Sequence, residues 1–342
     1  MNNKKLSIRQ KPLRTFSWSC KSEKTPAELL VEDTIGGWYK AKHSSASNYE
    51  IEYINSIPIS TCHHCGSLKI VKNGFNRNGI QNYFCKDCGR NFNPLTNTIF
   101  DSRKISISEW FEFLLHLFEY HSITSSAYDN RNANSTGEYW LIKVFEVLKD
   151  IQKDVVLSGR IYIDETYFSK KKSKEITKNG KKLRGISANK IGVATAISKE
   201  DNSSILIVTN SSKPSRKSTL ESYGSHIKEG STIIHDGDNS HKALVETLHL
   251  NSEEHPSKET KDLKDEDNPM YPINHYHSLL KRFIRAHGGY DRDNLQDWAN
   301  LFWFITNKPN DRYDKVLKFI ELAISSPKRV KYRDVMSSKS TK

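Results

Sequence analysis

Two cysteine pairs, Cys62-x2-Cys65 and Cys85-x2-Cys88, constrain this chain more than any other feature. Nineteen residues separate the pairs, and glycine follows each directly, at Gly66 and Gly89. Two thiolates on a tight knuckle reach one ion, glycine lets the backbone turn so that its N–H groups face sulfur, and tetrahedral Zn²⁺ completes the set. Four sulfurs leave no open position, so Cys62, Cys65, Cys85 and Cys88 are expected to hold a structural zinc in a small ribbon spanning residues 56–100. His63 and His64, inside the first knuckle, are alternative ligands, and an iron–sulfur or redox use of the cysteines is the other option. The fifth cysteine, Cys20, stands alone, which does not suggest a disulfide framework.

Charge narrows the choice of partner. Among 342 residues, Lys and Arg (53) exceed Asp and Glu (40) by 13, which predicts a polyanion, either nucleic acid or an anionic membrane face. No apolar run approaches the roughly 18 residues that a membrane span needs. Met1 to Arg14 is basic but lacks a signal peptide's apolar stretch. Nucleic acid and a cytoplasmic location are therefore expected. Lys69, Lys72, Arg77, Lys86 and Arg90 around the ribbon point to phosphate as well.

The length predicts two or three compact units. Residues 1–55 read as a poorly specified arm with one short helix near Pro26 to Glu32. Residues 101–155 are helical. Ser106 and Glu109 have capping-box spacing ahead of Trp110, Leu114, Leu117 and Phe118. A short helix from Ser122 to Asn130, a turn over Arg131 to Asn134, and a helix capped by Ser135 to Glu138 with Leu141, Val144, Phe145 and Leu148 on one face then give a helix-turn-helix-like outline. A helical linker has the same pattern.

From residue 156 to 310 the pattern becomes mixed α/β. Arg160 to Phe168, Ile191 to Ser198 and Ser203 to Thr209 read as an antiparallel meander. They are followed by a helix near Lys217 to Lys228, a strand at Ser231 to His235, and helices near Asn239 to Leu248, His275 to Ala286 and Asn294 to Ile305. Residues 251–268 are almost wholly polar and read as a mobile surface insertion, and 311–342 as a C-terminal helix with a basic, disordered tail.

Carboxylates interrupt two strands that should be buried. In Tyr162-Ile163-Asp164-Glu165-Thr166-Tyr167 charge in a core strand is expensive unless it binds a cation at the sheet's edge. Side chains alternate along a strand, so only one of Asp164 and Glu165 enters a given site. Ile233-Ile234-His235-Asp236-Gly237 repeats the arrangement, with Gly237 permitting a turn, and two such aspartates could meet around Mg²⁺. Turn or capping roles are the other reading of each. In Ile273-Asn274-His275-Tyr276-His277-Ser278-Leu279-Leu280-Lys281-Arg282, Asn274 precedes a helix and Lys281 lies about two turns on along the same face. Out of context Asn274 is an N-cap and Lys281 a surface lysine.

The order zinc ribbon, helical segment, YIDETYF, HDGDNSHKAL, INHYHSLLKRF resembles bacterial insertion-sequence transposases that join a zinc ribbon to a ribonuclease-H-like Asp-Asp-Glu or Asp-Asp-Asn domain. The resemblance spans about residues 60 to 307. It implies an α/β fold, a ribonuclease-H-like mixed sheet flanked by helices. It implies Asp164 and Asp236 as metal-binding carboxylates, Asn274 as the third metal residue, and Lys281, beside Arg282, as a DNA contact. Cleavage and strand transfer of double-stranded DNA with Mg²⁺ or Mn²⁺, by a homo-oligomer in the synaptic complex, are the implied activity. Asn in place of Glu leaves the site near −2 instead of −3, and Glu165 could supply charge instead. Lys170, Lys171, Lys172, Lys181, Lys182 and Arg184 would form a loop beside this site, clamping phosphate or simply solvated. Two rivals are a non-catalytic zinc-ribbon transcription protein and a tyrosine nickase using His275-Tyr276-His277 as its His-x-His motif.

Overall fold

The computed structural model describes residues 48–101, 107–130, 132–169, 190–209, 213–287 and 292–335. The arm helix, Cys20, the lysine-rich loop from Lys170 to Arg184 and the end of the tail lie outside the described residues. The chain divides into two compact units, residues 1–147 with 309–342, and residues 148–308.

In the first unit, helix α1 (Asn48–Ser56) precedes a three-stranded antiparallel sheet of β1 (Ile70–Phe75), β2 (Gln81–Cys85) and β3 (Asn91–Phe92), in that order. Gln81, Tyr83 and Cys85 of β2 face inward by strand alternation, and Tyr83 stacks on Phe92 with ring centroids 5.5 Å apart. Helices α2 (Ile107–Phe118), α3 (Ile123–Asp129) and α4 (Asn134–Leu148) follow. The predicted apolar faces are buried: Trp110, Leu114, Leu117 and Phe118 on α2, and Leu141, Val144, Phe145 and Leu148 on α4. Trp110 stacks on Trp140 at 4.3 Å. The carboxylate of Glu50 on α1 accepts the Ile107 and Ser108 amides at 3.2 and 3.4 Å, satisfying orphan donors at the start of α2. Ser122 caps α3 through its hydroxyl. Helices α3 and α4 meet at Gly137, where a Cβ would lie 3.0 Å from that of Ala127, so this crossing depends on glycine.

The second unit is a five-stranded mixed sheet with spatial order β6-β5-β4-β7-β8. Strands β4 (Arg160–Ser169), β5 (Lys190–Ser198) and β6 (Ser204–Val208) form the expected meander. Helix α5 (Arg216–Tyr223) is shorter than predicted, ending at Gly224. Strand β7 (Thr232–His235) then pairs parallel with β4. A 3-10 turn over Asn239–His241 leads into α6 (Lys242–Leu248), and β8 (Asn251–Glu254) pairs parallel with β7. Polar Asn251 to Glu254 are therefore not part of a mobile insertion. They are an edge strand whose pairing is made by backbone groups, and its composition is polar because most of it faces solvent. A short helix α7 (Ser257–Thr260), then α8 (Tyr271–Ala286) and α9 (Leu295–Thr306), complete the unit. The sequence predicts a start for α8 after Asn274. The helix instead begins one turn earlier, because Pro272 occupies its first turn, where no amide is needed.

Each face of the sheet has its own core. Ile161, Ile163, Ala194, Ile233 and Leu244 belong to one with Tyr223 of α5, whereas Tyr162, Ile197 and Ile234 pack with Met270 and Ile273 beside α8. Two central strands buried on both sides read as continuous apolar runs, which is why a carboxylate within them stands out. Helix α10 (Arg312–Ser325) belongs to the first unit, capped by Asp311, which accepts the amides of Tyr313 and Asp314. Among the described residues no helix is long and apolar enough to cross a membrane.

Candidate metal centres and active site

The four cysteines converge. Their sulfurs lie within 4.8 Å of one another, with Cys62 to Cys88 at 3.7 Å and Cys65 to Cys85 at 3.6 Å. Each knuckle closes by an amide of the following glycine onto the first cysteine's carbonyl, Gly66 to Cys62 at 2.8 Å and Gly89 to Cys85 at 3.0 Å. Gly66 (φ 75°) and Gly89 (φ 67°) occupy the left-handed region that a side chain would strain. The His64 amide approaches Cys62 Sγ at 3.4 Å, the N–H to sulfur contact expected of a metal knuckle. His63 and His64 are engaged elsewhere: His63 Nδ1 is 2.9 Å from the Thr96 carbonyl, and His64 Nε2 is 3.3 Å from that of Asn91. The donor set is four sulfurs, the arrangement that suits a tetrahedral soft-ligand ion. The basic residues Lys69, Lys72, Arg77, Lys86 and Arg90 are exposed on the ribbon.

In the second unit, strand register decides which carboxylates meet. Tyr162 of β4 pairs with Ile234 of β7, and both pack toward α8. Two residues on stand Asp164, midway along β4, and Asp236, just past the end of β7, so continuing the alternation places both on the same side, where the Asp236 charge acts on the Asp164 carboxyl. Glu165 takes the opposite face, where Tyr223 Oη donates to its carboxylate at 3.1 Å. Of the two neighbouring acids, Asp164 thus shares the face with Asp236.

The electrostatics follow. Burial raises the Asp164 carboxyl, and the charges of Glu165 and Asp236 add to this, pushing it to about 7. His277 Nδ1 of α8 lies 3.7 Å from Asp164 Oδ2. Burial, with the Lys281 charge beside it, lowers His277 to about 3, so this imidazole is neutral. Lys281, one turn later, is itself lowered mainly by burial, against which the Asp164 charge acts. Lys281 and Asp164 therefore share one electrostatic environment. Asn274, seven residues before Lys281 and on the same side of α8, is exposed, and its backbone carbonyl accepts the Ser278 hydroxyl. Arg282 is exposed.

Asp236 begins a tight turn: its carboxylate accepts the Asp238 amide at 3.0 Å, and Gly237 has φ 83°. The carboxylate of Asp236 and the imidazoles of His235 and His241 offer ligand atoms within 4.8 Å of one another, a group that could hold a metal ion. Proton bookkeeping assigns the two rings other tasks. The Gly237 amide donates to His235 Nδ1 at 3.1 Å, so that nitrogen carries no proton and Nε2–H points to Ser252 Oγ of β8 at 2.9 Å. His241 Nδ1, 3.1 Å from His235 Nδ1, must then be the donor of that pair, and its Nε2 faces Glu165 at 3.5 Å. Burial lowers His241, but the Glu165 hydrogen bond and charge outweigh it, and the net shift is upward. A chain Ser252–His235–His241–Glu165–Tyr223, exposed at Ser252 and closed over from His235 inward, so links β8, the end of β7, the 3-10 turn, the middle of β4 and α5.

The sequence alone assigns no role to His235, His241 or Tyr223, and none to His277 beyond the His275-Tyr276-His277 motif of the nickase reading. A histidine beside a strand-ending aspartate and another six residues on was the available signal for the pair. His275 and His277 both lie on α8, with His275 exposed beside Tyr271 and His277 buried. Residues two apart on a helix point in different directions, so they do not form the strand-borne metal pair of a nickase.

Residues 156–307 match the family model of the ISXO2-like transposase domain. Among solved structures, the Mos1 strand transfer complex aligns at 12% identity over 65% of this chain and 78% of that one, with a TM-score of 0.28. A pre-cleavage Mos1 transpososome aligns at 11% identity over the same shares, with a TM-score of 0.20. No curated protein matches the chain.

Proposed function

We infer that this chain, which carries a DDE-type transposase domain over residues 156–307, cuts the ends of its own mobile element and joins them to target DNA. The observation that carries the site assignment is the shared face and adjacent position of Asp164 and Asp236, reached through the Tyr162–Ile234 register. In this reading Asp164 and Asp236 hold Mg²⁺ or Mn²⁺, with the Asn274 carbonyl oxygen as a third, uncharged ligand. Hard cations take oxygen donors of this kind, and a rigid sheet end spaces them. Bound there, the ions supply activation of the attacking water or 3′-OH and stabilisation of the leaving oxygen in an in-line displacement.

The chain's own groups prepare the site. Burial raises the Asp164 carboxyl in the free protein, so a cation held by Asp164 and Asp236 would bind more readily as pH rises. His277, neutral beside Asp164, walls one side of the carboxylate without competing for charge. Lys281, with Arg282 exposed beside it, holds a phosphate of the DNA backbone. Lys170, Lys171, Lys172, Lys181, Lys182 and Arg184, between β4 and β5 in sequence, add cationic contacts to the same DNA. The four cysteines hold structural Zn²⁺, and the ribbon's basic surface together with α3 and α4 contacts the element's ends. Two ends must be brought together, so the working form is a homo-oligomer, acting in the cytoplasm where its DNA is. The test is an assay of purified protein on duplex DNA carrying the element's ends, with Mg²⁺ or Mn²⁺. Wild type should nick and join; Asp164→Asn and Asp236→Asn should not. Cleavage surviving both substitutions overturns the assignment.

A further inference from the structure

We propose a second transition-metal site in the first unit, built from His116, His121 and Asp129 and separate from the cysteine cluster. Each offers a ligand atom, and these lie within 4.8 Å of one another. His116 Nδ1 and His121 Nδ1 both face the same carboxylate oxygen, Asp129 Oδ2, at 3.7 and 3.9 Å. These are too long for hydrogen bonds. Tetrahedral coordination at zinc–nitrogen and zinc–oxygen lengths near 2.1 Å sets ligand atoms about 3.4 Å apart, and the two nitrogen–oxygen separations exceed this by only a few tenths of an ångström.

The backbone is bent to make this arrangement. Helix α2 ends in a Schellman motif, with the His121 amide on the His116 carbonyl at 3.0 Å and the Tyr120 amide on that of Leu117 at 3.2 Å. The residue that must adopt the left-handed conformation in this motif is normally glycine, yet here it is Tyr120, with φ 66°. A bulky residue in that region is an outlier that the surroundings must sustain. Its consequence is to fold His121 back over the last turn, where its ring lies nearly parallel to that of His116, 18° apart and with centroids 5.0 Å apart. Asp129, at the end of α3, completes the group from the other helix.

A plain ion pair explains this less well. Two ring nitrogens converge on one and the same carboxylate oxygen, an arrangement that a shared ion satisfies and a single ion pair does not require. Among the described residues Nδ1 of His121 is buried with no hydrogen-bond partner, which a ligand nitrogen requires and a solvated histidine does not. Two imidazoles and one carboxylate suit Zn²⁺ and its neighbours in the first transition row over Mg²⁺ or Ca²⁺. Three protein ligands leave one position for water. The C-terminal end of the α2 dipole also favours a cation there. The ion would clip α2 to α3 beside the helix-turn-helix-like pair.

The test uses the full chain carrying Asp164→Asn and Asp236→Asn, so that the proposed catalytic acids add no metal. Zinc is counted by mass spectrometry after dialysis, and cobalt is titrated with absorption readout. Two equivalents should bind. One should show the intense thiolate charge-transfer bands of a sulfur site, the other only weaker d–d bands. His121→Gln and Asp129→Asn should each remove the second equivalent and leave the thiolate bands intact, which also reports that the ribbon remains folded. One equivalent in the parent, or two in both variants, overturns the proposal.

Discussion

Asp164 and Asp236 are related through the parallel pairing of Tyr162 with Ile234: each aspartate stands two residues beyond that pair, Asp164 within β4 and Asp236 just past the end of β7. Neighbouring strands are about 4.8 Å apart, a spacing that suits two carboxylates around divalent cations. The Asp164 carboxyl is raised first by burial and then by the charges of Glu165 and Asp236.

In the proposed site the two acids serve one set of ions, so their removal is expected to be non-additive. Asp164→Asn and Asp236→Asn should each lower the strand-cleavage rate by about a thousandfold, equivalent to about 4 kcal/mol of barrier. The double variant should be no slower than the worse single one. Single-turnover rates on pre-assembled complexes check this.

Lys281→Ala should weaken DNA binding uniformly across sequences and reduce the slope of log affinity against log salt by about one. Titrations from low to moderate salt read it. An unchanged slope removes Lys281 from the DNA interface.

Glu165 and His241 face each other in the protein interior, their side chains 8% and 0% exposed. Glu165→Leu or His241→Leu alone leaves a buried partner uncompensated and should cost about 3 kcal/mol. The double substitution should cost clearly less than the sum of the two. Urea denaturation in a double-mutant cycle measures the coupling.

Cysteine ligation should matter to the ribbon, whose apolar core is small. Cys62→Ser or a strong chelator should remove hydrogen-exchange protection over β1 to β3, as small metal modules lose their fold with the ion. The strands β4 and β7 of the second unit have their own apolar cores and should keep their protection.

His287, buried against Phe283 and Trp298, is pushed down to about 4 by burial. Protonation then occurs first in the unfolded chain, so its neutral form gives full stability above about pH 6.5, and stability falls as pH drops from there toward 4. The loss should reach on the order of 2 to 3 kcal/mol. In His287→Phe the acid limb of the stability profile should be flatter, measured by urea denaturation at a series of pH values.

The sequence by itself determined the local chemistry of this protein. Cys-x2-Cys followed by glycine fixes a knuckle whatever surrounds it, and the meander, β7 and the buried faces of α2 and α4 follow from period and punctuation. Alternation along β4 likewise separated Asp164 from Glu165. What it left open were relations set by partners distant in the chain. Strand β8 is polar because backbone pairing with β7, not side-chain burial, recruits it. The start of α8 moved ahead of Asn274 because Pro272 tolerates a first turn. The partnership of His241 with Glu165, and that of His277 with Asp164, exist only once parallel pairing and helix docking bring them together, since neither residue's neighbours in sequence specify what lies across the sheet.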